Sequence, residues 1–301
     1  MPPTGTIGAN RVIDSGRDDT SKGRIVTSRT PWIQELRWPE IEAHLERDDV
    51  ALIPVGATEQ HGRHLPLLVD SGWAIAACER AAAICGCLIA PPIQYGWSPH
   101  HMGYPGTITL AAETLQKLVY DVGASLIYHG FHHLVIVNGN RIANLQPMEI
   151  AAVQLQNSTG ACVAVADAGL IARAEVKALC DAPDGGLEHA AEAETSFALF
   201  WRGQHVDMNE ARPPRQNQES SSRFDYPVEL DPALNGNAVS RFVTPEQHRR
   251  ATAPDGHTGD PTSATPEKGE AMISAVGARL ADFVEEFRDI GVREVSTCLP
   301  T

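Results

Sequence analysis

Short apolar, β-branched runs alternate along the chain with longer stretches whose apolar residues recur at helical spacing. Val50-Ala-Leu-Ile-Pro-Val-Gly56 reads as a buried strand, and so do Leu88–Ala90, Leu134–Val137 and Ala161–Ala166. Helices are expected over Trp32–Glu46, residues 71–85, Ala111–His129, Leu145–Gln156, Glu188–Trp201 and Pro266–Arg288. In Ala111–His129, Leu115, Leu118, Val119, Val122, Leu126 and Ile127 share a face, and Gly130 follows as a stop. Thr265 is a natural N-cap for the last helix, with Pro266 at its first position.

Strands that alternate with helices predict an α/β fold. The sheet is expected to be mainly parallel, flanked by helices on both faces in three α/β/α layers. Ligands in such sheets bind beyond the carboxyl ends of the strands. Residues 1–30 are polar and read as an extended arm that packs on a neighbouring subunit. Residues 31–301 read as a single α/β domain. It contains an irregular excursion at 203–264, with short strands near Phe224–Leu230 and Ala238–Val243.

The chain has 301 residues, 43% hydrophobic and 21% charged, enough apolar material for a sizeable core. Its formal charge of −14 repels phosphate backbones and anionic bilayers, so nucleic-acid and membrane partners are excluded. No apolar run approaches the ~20 residues of a membrane span. The N-terminus lacks the apolar stretch of a secretory signal, which predicts a cytoplasmic protein. Cys78, Cys85, Cys87, Cys162, Cys180 and Cys298 are scattered and read as free thiols.

The chemistry-bearing residues fall at the expected strand ends. Glu59-Gln-His61-Gly-Arg-His64-Leu-Pro66 and Asp70 follow the first strand. Carboxylate and imidazole together suit Zn²⁺, Mn²⁺ or Fe²⁺, and a carboxylate such as Asp70 can bridge two cations. A plain polar loop capping the next helix is the simpler alternative. Trp97–Thr107 holds His100, His101 and Thr107; His101 could contact substrate or metal, and solvent exposure is the simpler alternative for the adjacent histidines. His132-His133 reads as solvent-exposed. Asn138-Gly-Asn140-Arg141-Ile-Ala-Asn144 is a strand-to-helix turn able to present donors to a ligand. Glu188-His189-Ala-Ala-Glu192-Ala-Glu194 places Glu188 and Glu192 one helical turn apart. His257 and Gly259-Asp-Pro261 precede the last helix.

Taken in order, these blocks resemble the creatininase family of metal-dependent amidohydrolases. The resemblance rests on EQHG-x-HLP-x(3)-D at Glu59–Asp70, Tyr104–Thr109, Val137–Gly139, EHAAEAETS at Glu188–Ser196, and Gly259–Pro261 with Ala264–Gly269. It implies a divalent-metal cofactor, one or two ions per subunit, with zinc favoured and manganese or iron as alternatives. Asp70 would bridge two ions, Glu59 would bind one and His61 the other, and Glu194 would reach a metal or its shell. Glu188 and His189 would move protons, with His101, Thr107, Asn138 and Arg141 near the substrate. It also implies a homo-oligomer, with a hexamer favoured.

The chain departs from the family at Asn140, where the usual residue is a metal-binding histidine. Ile142 stands where some members carry a further carboxylate ligand. Either one ion remains, or a second is held differently, with Asn140 as a candidate ligand. The expected activity is metal-assisted hydrolysis of a small polar, cyclic substrate. The bond is the C–N of a cyclic amide or the C–C of a cyclic keto-polyol such as a keto-inositol. The alternative is a catalytically inactive binding or scaffold protein of the same family.

Overall fold

The computed structural model describes residues 29–182, 186–213, 243–292 and 294–297, leaving aside the side chains at 141 and 142. Residues 1–28 of the expected arm lie outside them. So do residues 214–242, with the strand expected near Phe224–Leu230 and most of that near Ala238–Val243.

Four parallel strands form one sheet: β1 Val50–Val55, β2 Leu88–Ile89, β3 His133–Asn138 and β4 Cys162–Asp167, in the order β2-β1-β3-β4. Register pairs Val50 with His133 and Val55 with Asn138, so β1 and β3 end side by side. Asn138 in turn pairs with Asp167. The helices are α1 Trp38–Leu45, α2 Val69–Cys85, α3 Ala112–Tyr128, α4 Arg141–Thr159, α5 Arg173–Ala178, α6 Glu192–Arg202, α7 Pro245–Thr252 and α8 Pro266–Arg288.

Side chains on successive strand residues point to opposite faces, and the core divides accordingly. Val50, Leu52, Val135 and Val137 pack with Trp73, Phe197, Met272 and Leu280 under α2, α6 and α8. Ala51, Ile53, Leu134 and Ile136 pack with Leu115, Val119, Met148 and Leu155 under α3 and α4. This is the expected three-layer α/β/α architecture. Cys78, Cys85, Cys87, Cys162 and Cys180 are free thiols. Among the described residues no helix is long and apolar enough to cross a membrane.

Three expectations are corrected. Trp32–Glu46 is not one helix: a short 3-10 turn at Ile33–Glu35 precedes α1. Pro39 lacks an N–H and fits only in a first turn, so the helix restarts at Trp38, with Arg37 N–H donating to Glu40. The helix expected from Leu145 begins at Arg141, because the Asn140 side chain caps it by accepting from Ala143 N–H. His133 is buried, not exposed: its ring nitrogens lie 2.8 Å from Asp49 Oδ1 and 2.8 Å from the Ile290 carbonyl.

Candidate metal centre

The ends of β1 and β3 meet the start of α2. A Cβ on Gly56 would lie 2.3 Å from Ser71 Cα, and one on Gly139 would lie 2.0 Å from the Asp70 carbonyl oxygen. Only glycine permits this approach, which presses the first turn of α2 onto both strand ends and buries Asp70 between them. Asp70 sits in that first turn, where a carboxylate is stabilised by the helix dipole.

His61 is fully buried in the loop after β1. Its Nδ1 lies 3.1 Å from the Glu59 backbone carbonyl, which can only accept, so Nδ1 carries the proton. That leaves a lone pair on Nε2. Nε2 faces Asp70 Oδ1 at 3.2 Å and Glu194 Oε2 at 3.7 Å. An imidazole nitrogen and two carboxylates therefore converge on one point, which a shared proton completes and a metal cation could take over. Their ligand atoms lie within 4.8 Å of one another, as do those of Glu59, His61 and His189. Imidazole nitrogen and carboxylate oxygen fit a zinc-type ion, with a backbone carbonyl fixing the tautomer.

The Glu59 side of the site is different. Glu59 Oε2 accepts from Asn140 Nδ2 at 2.7 Å, and Asp70 Oδ2 accepts from the same nitrogen at 3.1 Å. Glu59 Oε1 lies 3.3 Å from His101 Nε2. Gln60 sets the tautomer of His101. Its Oε1 accepts from Gly62 N–H and its Nε2 donates to the Gly256 carbonyl at 2.7 Å, which fixes the amide. The same Nε2 donates to His101 Nδ1 at 2.8 Å, so His101 Nε2 bears the hydrogen that faces Glu59.

His189 lies against His61 with ring centroids 4.4 Å apart and the planes tilted by 42°. Its Nε2 donates to the Gln60 carbonyl at 2.8 Å, leaving Nδ1 as the lone-pair nitrogen, 3.9 Å from Glu59 Oε1. The helix expected from Glu188 begins instead at Glu192. Ala190 has φ +54°, in the left-handed region, and a right-handed helix cannot run through it. Its N–H donates to Glu194 Oε2 at 2.5 Å, holding that carboxylate toward His61. Glu188 and Glu192 thus do not share a helical face. Glu192 is buried and binds Lys268. Glu188 lies against Gly259, where a Cβ would come 3.2 Å from its Oε2, and is not among the converging ligand atoms.

Electrostatics follow from this crowding. Burial, then the Asp70 charge, pushes the Glu59 carboxyl up to about 8. Burial likewise pushes Glu194 up to about 7. For His61 burial opposes the charged form, but Asp70, Glu194 and Glu59 outweigh it and raise the imidazole to about 10. Burial, and then other histidines nearby, hold His189 and His101 well below the ordinary imidazole range. The same two causes bring His64 to about 4.

The remaining expected residues hold the loops. Thr107 Oγ1 accepts from Gln60 N–H at 3.1 Å. Asn138 Oδ1 accepts from Asn140 N–H at 2.9 Å, and its Nδ2 donates to Asp167. Asn144 straps Trp97 N–H to the Gly56 carbonyl, at 2.8 and 2.9 Å. Arg141 opens α4, and its side chain lies outside the described set. Sequence reasoning passed over Gln60 and Ser98, although Gln60 lies inside the EQHG block. It also passed over His248, which meets His101 edge-on, ring centroids 4.6 Å apart, from a helix within the expected irregular excursion.

The family model described as creatininase, creatinine amidohydrolase, matches residues 34–284. The chain belongs to the creatininase family. This creatininase-family chain is 28% identical over 279 residues to creatinine amidohydrolase of Pseudomonas putida, covering 86% of this chain and 98% of the relative. It is 32% identical over 246 residues to the mycofactocin precursor peptide peptidase of Mycobacterium ulcerans, covering 79% and 81%. It is 28% identical over 283 residues to the 3-dehydro-scyllo-inosose hydrolase of Thermotoga maritima, covering 89% and 86%. A crystal structure of creatininase superposes with TM-score 0.70 at 28% identity, covering 88% of this chain and all of that one. Similar solved structures include a manganese creatininase and one of Zn-Zn type, each with TM-score 0.67, 28% identity and coverage of 87% and 100%. The fold and family are those of a creatininase-like hydrolase.

Proposed function

We propose that the chain is a metal-dependent hydrolase that opens or cleaves a small polar, cyclic substrate at a carbonyl. The bond is the C–N of a cyclic amide or the C–C of a cyclic keto-polyol. One observation carries the reading: buried His61 Nε2 and the carboxylates of Asp70 and Glu194 converge on one point, where a cation can replace the proton they share. Zinc suits this donor set, with manganese or iron as alternatives. Two relatives, named for a creatinine amidohydrolase and an inosose hydrolase, support the two substrate classes. A single catalytic domain over 31–301, assembled as a cytoplasmic homo-oligomer with a hexamer favoured, accompanies this reading.

An ion at His61, Asp70 and Glu194 would supply a water activated near neutral pH and a Lewis acid for the carbonyl oxygen. The chain supplies the rest. His189 is neutral and has its Nδ1 lone pair turned toward Glu59, so it can take a proton and return it to the leaving atom. Gln60 orients that ring through its backbone carbonyl and orients His101 through its side chain. Proton transfer is therefore assigned to His189 rather than Glu188. His101 and Arg141 are assigned to the substrate, and Asn138 and Thr107 to holding the loops that carry the site.

The test is turnover of cyclic amides including creatinine, keto-inositols and short peptides, before and after chelation, together with Asp70→Ala. Turnover of one cyclic class, lost on chelation and restored by Zn²⁺, is expected. Asp70→Ala should lose both the ion and the activity while remaining folded. Turnover of peptides alone overturns the substrate class. A fully metallated chain inert toward every substrate turns the reading to the binding or scaffold alternative.

A further inference from the structure

We propose that this chain holds one divalent ion rather than two, because the Asn140 amide occupies the space between Glu59 and Asp70 that a second ion would need. The inference rests on the metal-centre reading above and specifies it.

A second ion on this side of Asp70, liganded as the family resemblance implies, would take Glu59 Oε2, Asp70 Oδ2 and an electron-pair donor from position 140. In this structure those two oxygens already share the Asn140 NH₂ group, at 2.7 and 3.1 Å. Ser98 Oγ is the third neighbour of the same nitrogen, at 3.3 Å. The amide is held this way round from both ends. Its oxygen faces the Ala143 N–H at the start of α4, and an N–H can only donate. Its nitrogen faces two carboxylates, which accept. Turning it over would break the helix cap and set NH₂ against N–H.

The loop cannot retreat to make room. Asn140 N–H donates to Asn138 Oδ1 at 2.9 Å, and Gly139 is packed directly on the Asp70 backbone. Glu59 is also engaged at its other oxygen by His101 Nε2. Both of its oxygens thus face N–H donors, which give a carboxylate part of what a cation would give. Both hydrogens of the Asn140 NH₂ are already taken by Glu59 and Asp70, so the group has none left for a substrate carbonyl.

The alternative grouping of Glu59, His61 and His189 does not add a second ion. His61 Nδ1 is committed to the Glu59 carbonyl, so only Nε2 can bind metal. One lone pair serves one ion, and the two groupings compete for it. The Asp70–Glu194 grouping brings two carboxylates to balance a dication, against one in the other.

The experiment is metal analysis of the chain purified without chelator, with calorimetric titration of the metal-free chain by Zn²⁺ and by Mn²⁺. About one ion per chain is expected, and none in His61→Ala. In Asn140→His an imidazole replaces the amide, and the titration should gain a second event, to about two ions. Asn140→Asp provides a second variant: it retains a cap acceptor but sets three carboxylates together. Its thermal stability should keep rising with Zn²⁺ beyond the first equivalent, unlike that of the wild type.

Two ions in the wild type would overturn this inference and leave the metal-centre reading standing. One ion in the wild type and in both folded variants would overturn the role given to position 140. No ion in the wild type at millimolar Zn²⁺ or Mn²⁺ would overturn the metal-centre reading itself.

Discussion

Asp70 faces neighbours on two sides, and the sides are built on opposite principles. On one side, His61 Nε2 and Glu194 Oε2 turn potential metal-ligand atoms toward it. On the other, Asn140 offers it hydrogen atoms, which it shares with Glu59. The residue types are alike on paper: polar, wholly or partly buried, and close to carboxylates. Which atom each presents decides their chemistry. Ligand atoms joined only by a shared proton can exchange it for a cation. Amide hydrogens facing carboxylates allow no such exchange. A pair of carboxylates is thus a poor guide to metal binding until the neighbouring donors are oriented.

The comparison can be broken most severely at His189, which lies over the lone-pair side. His189→Gln should lower kcat by about 10²–10⁴-fold, the range for a lost acid–base group. Its metal content should stay at the wild-type value, since the ring is not among the three ligands assigned. A drop in metal content would instead make His189 a ligand. Next in size is Gly139→Ala, which strikes both sides through the shared Asp70. Its Cβ would meet the Asp70 carbonyl at 2.0 Å, so α2 must shift. A destabilisation on the order of 3 kcal/mol is expected by denaturant unfolding, with metal affinity falling in parallel.

A smaller effect lies in pH. Above pH 7 an unfolded chain has released the protons of Glu59 and His61, whose ordinary values are 4.5 and 6.5. The folded, metal-free chain retains them until about 8 and about 10. The folded state then binds more protons than the unfolded one, so stability falls as pH rises, on the order of 1 kcal/mol per pH unit. Histidines held neutral in the fold act only near and below 6.5, outside this window. Thermal melts of chelated protein between pH 7 and 10 should show the decline, and Zn²⁺ should flatten it. Smallest of all is Ala190→Gly. Relief of the left-handed backbone opposes loss of a buried methyl group, so stability should change by less than about 1 kcal/mol.

Much of this was legible in the sequence. The apolar runs at Val50–Val55 and Leu134–Val137 marked the central strands because both faces of a parallel sheet are covered. The resemblance supplied Glu59, His61, Asp70, His189 and Glu194, and the fold brings them together. Patterning failed where one backbone dihedral overrules periodicity: Ala190 delays α6 to Glu192, although Glu188 fits the helical spacing. It failed again where burial depends on a distant element, as at His133 beneath the end of α8. The sequence placed Asn140 at the site but could not orient it. That needs the Ala143 N–H on one side and the carboxylates on the other, a three-dimensional fact.

The glycines at 56 and 139 carry a consequence for how such a site can change. They close the floor of the centre to any larger side chain, so a new substrate cannot be accommodated from below. What remains open to remodelling is the rim: the turn at Pro99–Gly103, the residues before α6, and α7, which packs on that turn. Engineers seeking a different specificity should randomise the walls and leave the base untouched.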